Sequence, residues 1–318
     1  MAHVGPGPWS LSELRALGWS SGHIRAAVSA GRLVRPHRGA LALPGLEALE
    51  SGAAPLGRIR AAAHVVGPGA VVSHESAGVV QRTWLPWPVS RDVHLTEPGG
   101  VGRHHHGMRV HESRLPNEQV VVVDGLRVTT LARTALDLAR SRSLPEAMVA
   151  VDGAARALAL REPGASKKAL RGPARAELSL RAVSQIADAF DSVRTWPGTV
   201  VVRAAIELAD PASESPLESR SRGWLVEAKL PQPLVAFPVQ GASGRWYFAD
   251  FAWPERRLLG EADGSGKYGP AEGDIVSALR RERRRQRDLE DAGWTFVRWD
   301  STETRTTVTT RVARHLVG

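Results

Sequence analysis

Apolar and polar positions alternate most sharply between Trp246 and Gly264, where the chain reads WYFADFAWPERRLLGEADG. Two strand-like runs, 246–252 and 257–263, flank Trp253-Pro254-Glu255-Arg256, and proline with charge between apolar runs predicts a hairpin turn. Successive side chains leave a strand on opposite faces, so Asp250 shares a face with Trp246 and Phe248, while Glu261 and Asp263 share one with Leu259. Carboxylates gathered at one end of such a hairpin repel one another and lose hydration unless a divalent cation neutralises them. The pattern predicts a Mg²⁺ (or Mn²⁺) site on Asp250, Glu261 and Asp263. The competing reading is an ordinary turn at Asp263-Gly264 beside a solvated Asp250.

Helical periodicity dominates residues 1–50. Ser10-Leu11-Ser12-Glu13 is a capping-box pattern that predicts a helix to about Leu17, stopped by Gly18. Ser20 or Ser21 can cap a second helix with Ile24, Ala27 and Val28 on its buried side, and Gly31 fits its end. Residues 32–43 then alternate as a small β-wing, which makes the segment a winged helix-turn-helix. Arg25, Arg32, Arg35 and Arg38, with His23 and His37, fall on the second helix and wing, where phosphate contacts are expected. A small helical module with solvated arginines is the alternative.

Residues 55–165 read as an α+β middle domain. Val71-Val72 is a strand passing into a helix capped by Ser73; Val93-His94-Leu95, Met108-Arg109-Val110 and the stretch from Gly125 to Val128 continue the β pattern. Thr129 or Thr130 caps a helix bearing Leu131, Ala135, Leu136 and Leu138, and a further apolar helix covers 145–159. Arg133 and Asp137 lie one helical turn apart, so an intrahelical ion pair accounts for them. The run His104-His105-His106 is read as a solvated loop, because consecutive strand residues cannot all converge on one ion.

Two segments carry a family resemblance. The helix pair with Ser29-Ala30-Gly31-Arg32-Leu33 and Arg38-Gly39 resembles the N-terminal winged helix of the AbiEi family of type IV antitoxins. The phrase SHESA at 73–77, followed by VTTLARTALDLAR at 128–140, resembles the same family and extends the likeness to about residue 160. The resemblance implies DNA binding, with operator DNA or a toxin-gene product as the partner.

Beyond a linker at 162–168, residues 170–318 read as one α/β domain with a mixed central sheet. Helices are expected over 175–190 and 200–208, and Ser215-Pro216-Leu217-Glu218 starts another that reaches about Lys229. Glu218 is first of all the cap partner of Ser215. Strands follow at 233–239 and at the acidic hairpin. Lys267, in a glycine-bracketed loop, can bring a cation to a scissile phosphate. A long helix from about Asp274 to Asp291 carries Arg280, Arg281, Arg283, Arg284, Arg285 and Arg287, and like charges this dense imply an anion or acids nearby; Arg280, Arg281, Arg284 and Arg285 are the expected DNA-backbone contacts. Trp294 to Trp299 closes the pattern as a buried strand after Gly293.

The order Asp, turn, strand ending Glu-x-Asp-Gly, with that helix, glycine, tryptophan and strand, resembles the PD-(D/E)XK nuclease superfamily, specifically domains similar to very short patch repair endonucleases. The resemblance implies a restriction-endonuclease-like fold in which Asp250 and Glu261 hold the metal and Glu218 stands near it, with Glu214 competing for that place. Asp263 replaces the lysine that many members carry, so the implied protein is either a Mg²⁺-dependent endonuclease or a catalytically inactive DNA-binding regulator of the antitoxin type.

Composition narrows the partners. A formal charge of +9 and a pI near 10.9 over 318 residues favour an anionic partner such as nucleic acid. The absence of cysteine excludes disulfides, thiolate nucleophiles and cysteine-based zinc sites. No long apolar run or signal-like start is present, so a cytoplasmic protein without membrane association is the expectation.

Overall fold

The computed structural model describes residues 7–44, 56–264 and 272–316. The chain divides into two compact units, Met1–Leu138 and Ala139–Gly318. Among the described residues, no helix is long and apolar enough to cross a membrane. The architecture is mixed α/β throughout, and the expected boundary near residues 50–55 lies outside the described residues.

In the first unit, β1 (Trp9–Ser10) leads directly into α1 (Leu11–Ala16), and the predicted capping box is present: Ser10 Oγ accepts from Glu13 N while Glu13 accepts from Ser10 N at 2.7 Å. Ser20 caps α2 (Ser21–Ser29). β2 (Val34–His37) and β3 (Ala40–Ala42) pair antiparallel, and β1 completes a sheet of order β1-β3-β2. Leu14, Ile24, Ala27, Leu33 and Leu41 form the small core that ties the helix pair to this sheet.

α3 (Leu56–Val66) precedes a six-stranded mixed sheet. Its members are β4 (Val71–Val72), β5 (Val93–Thr96), β6 (Arg103–His105), β7 (Met108–His111), β8 (Val120–Val123) and β9 (Leu126–Thr129), in the order β6-β7-β5-β4-β9-β8. α4 (His74–Gln81) leaves β4, and α5 (Leu131–Ala139) leaves β9, with Thr130 Oγ1 accepting from Arg133 N at 3.2 Å. Val93, Leu95, Met108 and Val110 point to the core shared with Ile59 and Ala62 of α3. The Arg133–Asp137 pair forms at 3.0 Å, deeply buried, and Arg133 also donates to Gln119 Oε1 at 2.7 Å. His104 to His106 are exposed, as expected, although His104 and His105 belong to β6.

The second unit begins with α6 (Leu144–Ala159), which sequence order had grouped with the middle segment. It packs on α7 (Arg175–Asp191), α8 (Thr199–Glu207) and α9 (Pro216–Glu227). Gly223 of α9 is obligatory: a Cβ there would lie 2.4 Å from Pro145 Cα. Asp152 is fully buried and bonded to Arg222 at 2.8 Å and to Asp210 N, so the helices are joined by a satisfied charge.

β10 (Leu234–Gln240), β11 (Trp246–Trp253), β12 (Leu258–Asp263) and β13 (Thr295–Asp300) form a sheet in that order, with α10 (Glu272–Asp291) connecting β12 to its parallel partner β13. The predicted hairpin is β11 and β12, antiparallel, turned by Pro254–Arg256. Adjacent residues of β12 serve opposite layers: Leu258 and Ala262 pack with Leu225 of α9 and with Val308 and Val312 of α11 (Arg305–Leu316), whereas Leu259 packs with Leu289 of α10. Trp299 stacks on Phe251 at 5.5 Å and donates to Ser221 Oγ. Gly260 leaves room for that stack, since a Cβ would approach Phe251 Cβ and Trp299 Cη2 to 3.1 Å.

Candidate functional site

The pairing Phe251↔Gly260 sets Asp250 and Glu261 at neighbouring positions on the two hairpin strands. Asp250 is half-buried and its Oδ2 accepts from Ala262 N at 2.9 Å, which fixes the carboxylate against the backbone of the facing strand. Glu261 is buried, with Oε1 accepting from Arg285 of α10 at 2.9 Å. Helix α9 supplies Glu218, also buried.

The charges of these acids are coupled. Burial first, and repulsion from Asp250 second, push the Glu261 carboxyl up to about 7, against the pull of Arg285. The same two causes in the same order push Glu218 up to about 8, although it accepts hydrogen bonds from Glu214 N and Ser215. Two carboxyl groups thus titrate well above the ordinary carboxylate range because burial, with repulsion from Asp250, outweighs the arginine at Glu261 and the hydrogen bonds at Glu218.

Glu218 fills the cap role expected of it. Its N–H donates to Ser215 Oγ at 3.2 Å, its Oε1 accepts from Ser215 Oγ at 2.8 Å and its Oε2 from Glu214 N at 2.7 Å. Both oxygens are therefore engaged by the helix start, and Glu218 is linked to Asp250 by electrostatic repulsion. Glu214 turns away to Arg171, at 2.6 Å. Asp263 is drawn toward Arg298 at 3.7 Å, with its side chain 46% exposed.

Arg285 and Arg298 form a bridge that sequence reasoning missed. Glu282 binds both, at 2.9 and 2.7 Å, and the hydrogen bond from Arg285, opposed by burial and reinforced by Arg298, holds its carboxyl at about 2. Burial alone would lower Arg285, but bonding to Glu282 and Glu261 outweighs it and drives its pKa further up. Arg285 is consequently an internal partner of the acidic cluster. Arg280, Arg281 and Arg284 are exposed on α10, and Arg25, Arg32, Arg35 and Arg38 are exposed in the first unit, where Arg38 reaches His106 at 2.5 Å. Lys267 lies outside the described residues.

The donor set fits Mg²⁺ or Mn²⁺ through Asp250 and Glu261. Hard dications take oxygen ligands, and Mg²⁺ commonly keeps several waters and uses one or two carboxylates. Among the described residues the acids do not form a closed cage with three ligand atoms within 4.8 Å of one another. An open two-carboxylate site with water completing the shell is what this geometry permits.

No family model matches the chain. Two proteins of Mycobacterium tuberculosis, the uncharacterized proteins Rv2248 of strain H37Rv and MT2308 of strain CDC 1551, are each 29% identical to it over 228 residues, 70% of this chain and 73% of theirs. The matched length exceeds either compact unit, so the chain is similar to these mycobacterial proteins across both.

Proposed function

We propose that the second unit is a divalent-metal-dependent phosphodiesterase of the endonuclease type acting on DNA, and that the first unit binds DNA. The observation that carries this reading is the cluster of Glu218, Asp250 and Glu261, in which burial and mutual repulsion hold two carboxyls at about 8 and 7. A dication is the natural counter-charge. Bound Mg²⁺ would polarise a phosphoryl oxygen and acidify a water for in-line attack. Asp250 and Glu261 would hold the ion, Arg285 fixes the orientation of Glu261, and the exposed Arg280, Arg281 and Arg284 would attract the phosphate backbone. Asp263 cannot supply the cation that a lysine would, so transition-state charge falls to Arg298 or Lys267.

A second reading has its own support. The aspartate at 263 and the guanidinium of Arg285 on Glu261 both favour a DNA-binding antitoxin or transcriptional regulator whose nuclease-like unit has lost catalysis. Nicking of supercoiled DNA by wild type and Glu261→Ala, with Mg²⁺ or Mn²⁺ and with chelator, separates the two. Metal-dependent cleavage lost in the variant supports the nuclease; tight, salt-sensitive binding without cleavage supports the regulator, and cleavage at an undiminished rate in Glu261→Ala refutes the site.

A further inference from the structure

The phrase Ser73-His74-Glu75-Ser76, which the acidic site does not use, is buried in the first unit at the start of α4. Ser73 occupies the cap position, but its hydroxyl makes no capping bond; Ser73 Oγ lies 3.0 Å from His74 Nδ1 instead. His74 itself adopts φ 49°, in the left-handed region that residues other than glycine uncommonly enter, and this conformation carries its ring over the sheet. There it meets two more imidazoles. His94 on β5 and His111 on β7 share a sheet face, because the parallel register pairs His94 with Arg109 and Thr96 with His111.

His94 Nδ1 and His111 Nε2 are 3.0 Å apart, and one ring nitrogen from each of His74, His94 and His111 falls within 4.8 Å of the others. We infer that His74, His94 and His111 form a three-histidine binding site for a borderline transition-metal dication of the Zn²⁺ class, with a further coordination position toward solvent on the His111 side.

Four observations converge on this assignment. The ligands come from three separate elements yet meet at one point, two of them buried and His111 half-buried, which leaves an entry path. The outward ring nitrogens have orienting partners of the kind that accompany metal-bound histidine: Ser73 Oγ on His74 Nδ1, Ser90 Oγ on His94 Nε2 at 3.0 Å, and the buried Glu75 carboxylate 3.6 Å from the same His94 nitrogen. Glu75 also provides a negative charge for a cation that neutral imidazoles cannot balance. Finally, Thr96 Oγ1, in register with His111, is buried without a hydrogen-bond partner among the described residues, a polar atom available to a metal-bound water.

The donor chemistry selects the ion. Three nitrogens and no carboxylate among the inner donors suit Zn²⁺, Co²⁺, Ni²⁺ or Cu²⁺ and not Mg²⁺ or Ca²⁺. His74 and His111 stack at 3.8 Å with planes 15° apart, so ion binding requires the rings to rotate out of parallel. Rotation about the Cβ–ring bond is soft enough to allow it.

The test is titration of the untagged, chelator-treated full chain with Co²⁺, followed by visible absorption and by Zn²⁺ displacement. The expected result is one equivalent with tetrahedral-type ligand-field bands, displaced by Zn²⁺ and not by Mg²⁺. His111→Gln should weaken binding at least tenfold, with His94→Gln as the second variant, and Glu75→Gln should weaken it by roughly tenfold. Binding should survive Glu261→Gln, which removes the acidic site, and His105→Gln with His106→Gln, which removes the exposed histidine run. Absence of a stoichiometric Co²⁺ complex, or one unchanged in both His94→Gln and His111→Gln, overturns the assignment.

Discussion

The acidic cluster of the second unit and the histidine cluster of the first solve opposite problems. On the hairpin, Asp250 and Glu261 sit at facing strand positions and share the pocket with Glu218, so negative charge is in excess and burial makes it costly. In the first unit, three imidazoles that are neutral when unprotonated converge with one buried carboxylate, Glu75, behind them. Oxygen donors in an open arrangement suit a hydrated hard dication; nitrogen donors drawn tightly together suit a borderline one. The two proposals thus assign different ion preferences to the two donor sets, and each set can be removed while the other is read.

The largest expected effect follows from deleting a hairpin carboxylate. Asp250→Asn or Glu261→Gln should reduce metal-dependent DNA cleavage by about 10²- to 10⁴-fold, because the interaction lost is worth several kcal/mol in the transition state. His111→Gln should leave cleavage unchanged, and a comparable loss there would collapse the distinction between the two clusters.

Proton linkage distinguishes them next. The folded values of about 7 for Glu261 and about 8 for Glu218 lie above the ordinary carboxylate value of 4.5, so the native state holds more protons than the unfolded one between those limits. Stability from these groups is therefore fully present below about 4.5 and is lost progressively as pH rises from there through about 7 to 8, beyond which it no longer changes. The melting temperature of the metal-free protein should fall across that window. Mg²⁺ at about a hundredfold over its Kd should restore roughly 2.7 kcal/mol at the alkaline end and little at the acid end. A melting temperature that rises with pH, or that ignores Mg²⁺ at alkaline pH, would contradict the coupling.

A smaller effect separates the arginines of α10. Arg280→Ala and Arg284→Ala should each lower the salt dependence of DNA binding by about one unit of slope, since both are exposed. Arg285→Ala should change the slope less, because that guanidinium is held by Glu261 and Glu282. The smallest expected change is Ser215→Ala, which removes the cap of α9 and should cost about 1 kcal/mol in denaturant unfolding.

The two clusters differ equally in how far the sequence reveals them. Asp250 and Glu261 were legible because a hairpin is local: alternation sets the face, the turn sets the register, and both acids lie within one short stretch. The start of α9 was legible for the same reason, its cap and its Glu218 being three residues apart. The Glu261–Arg285–Glu282–Arg298 bridge was not, since α10 crosses from β12 to β13 and brings its inner face back onto the hairpin. A run of arginines read as a DNA-backbone contact face gives no sign that Arg285 alone turns inward. His74, His94 and His111 were still less visible, because they sit on a helix start and two strands whose adjacency is set by the parallel β5–β7 pairing. The trace that exists is a histidine inside each strand pattern, Val-His-Leu-Thr and Met-Arg-Val-His, on the face opposite the apolar core. Packing elements such as α3 and α11 escaped for a different reason: their weakly patterned sequences take their structure from tertiary contact.

The claim that Asp250 and Glu261 together bind a hard dication is tested most directly by Mn²⁺ titration of the metal-free protein at alkaline pH, read by electron paramagnetic resonance, in wild type, Asp250→Asn and Glu261→Gln. Wild type should bind one equivalent that Mg²⁺ displaces and either substitution removes, with His111→Gln unaffected in Mg²⁺ competition. Binding that is absent in wild type, or that persists unchanged in both carboxylate variants, would contradict it.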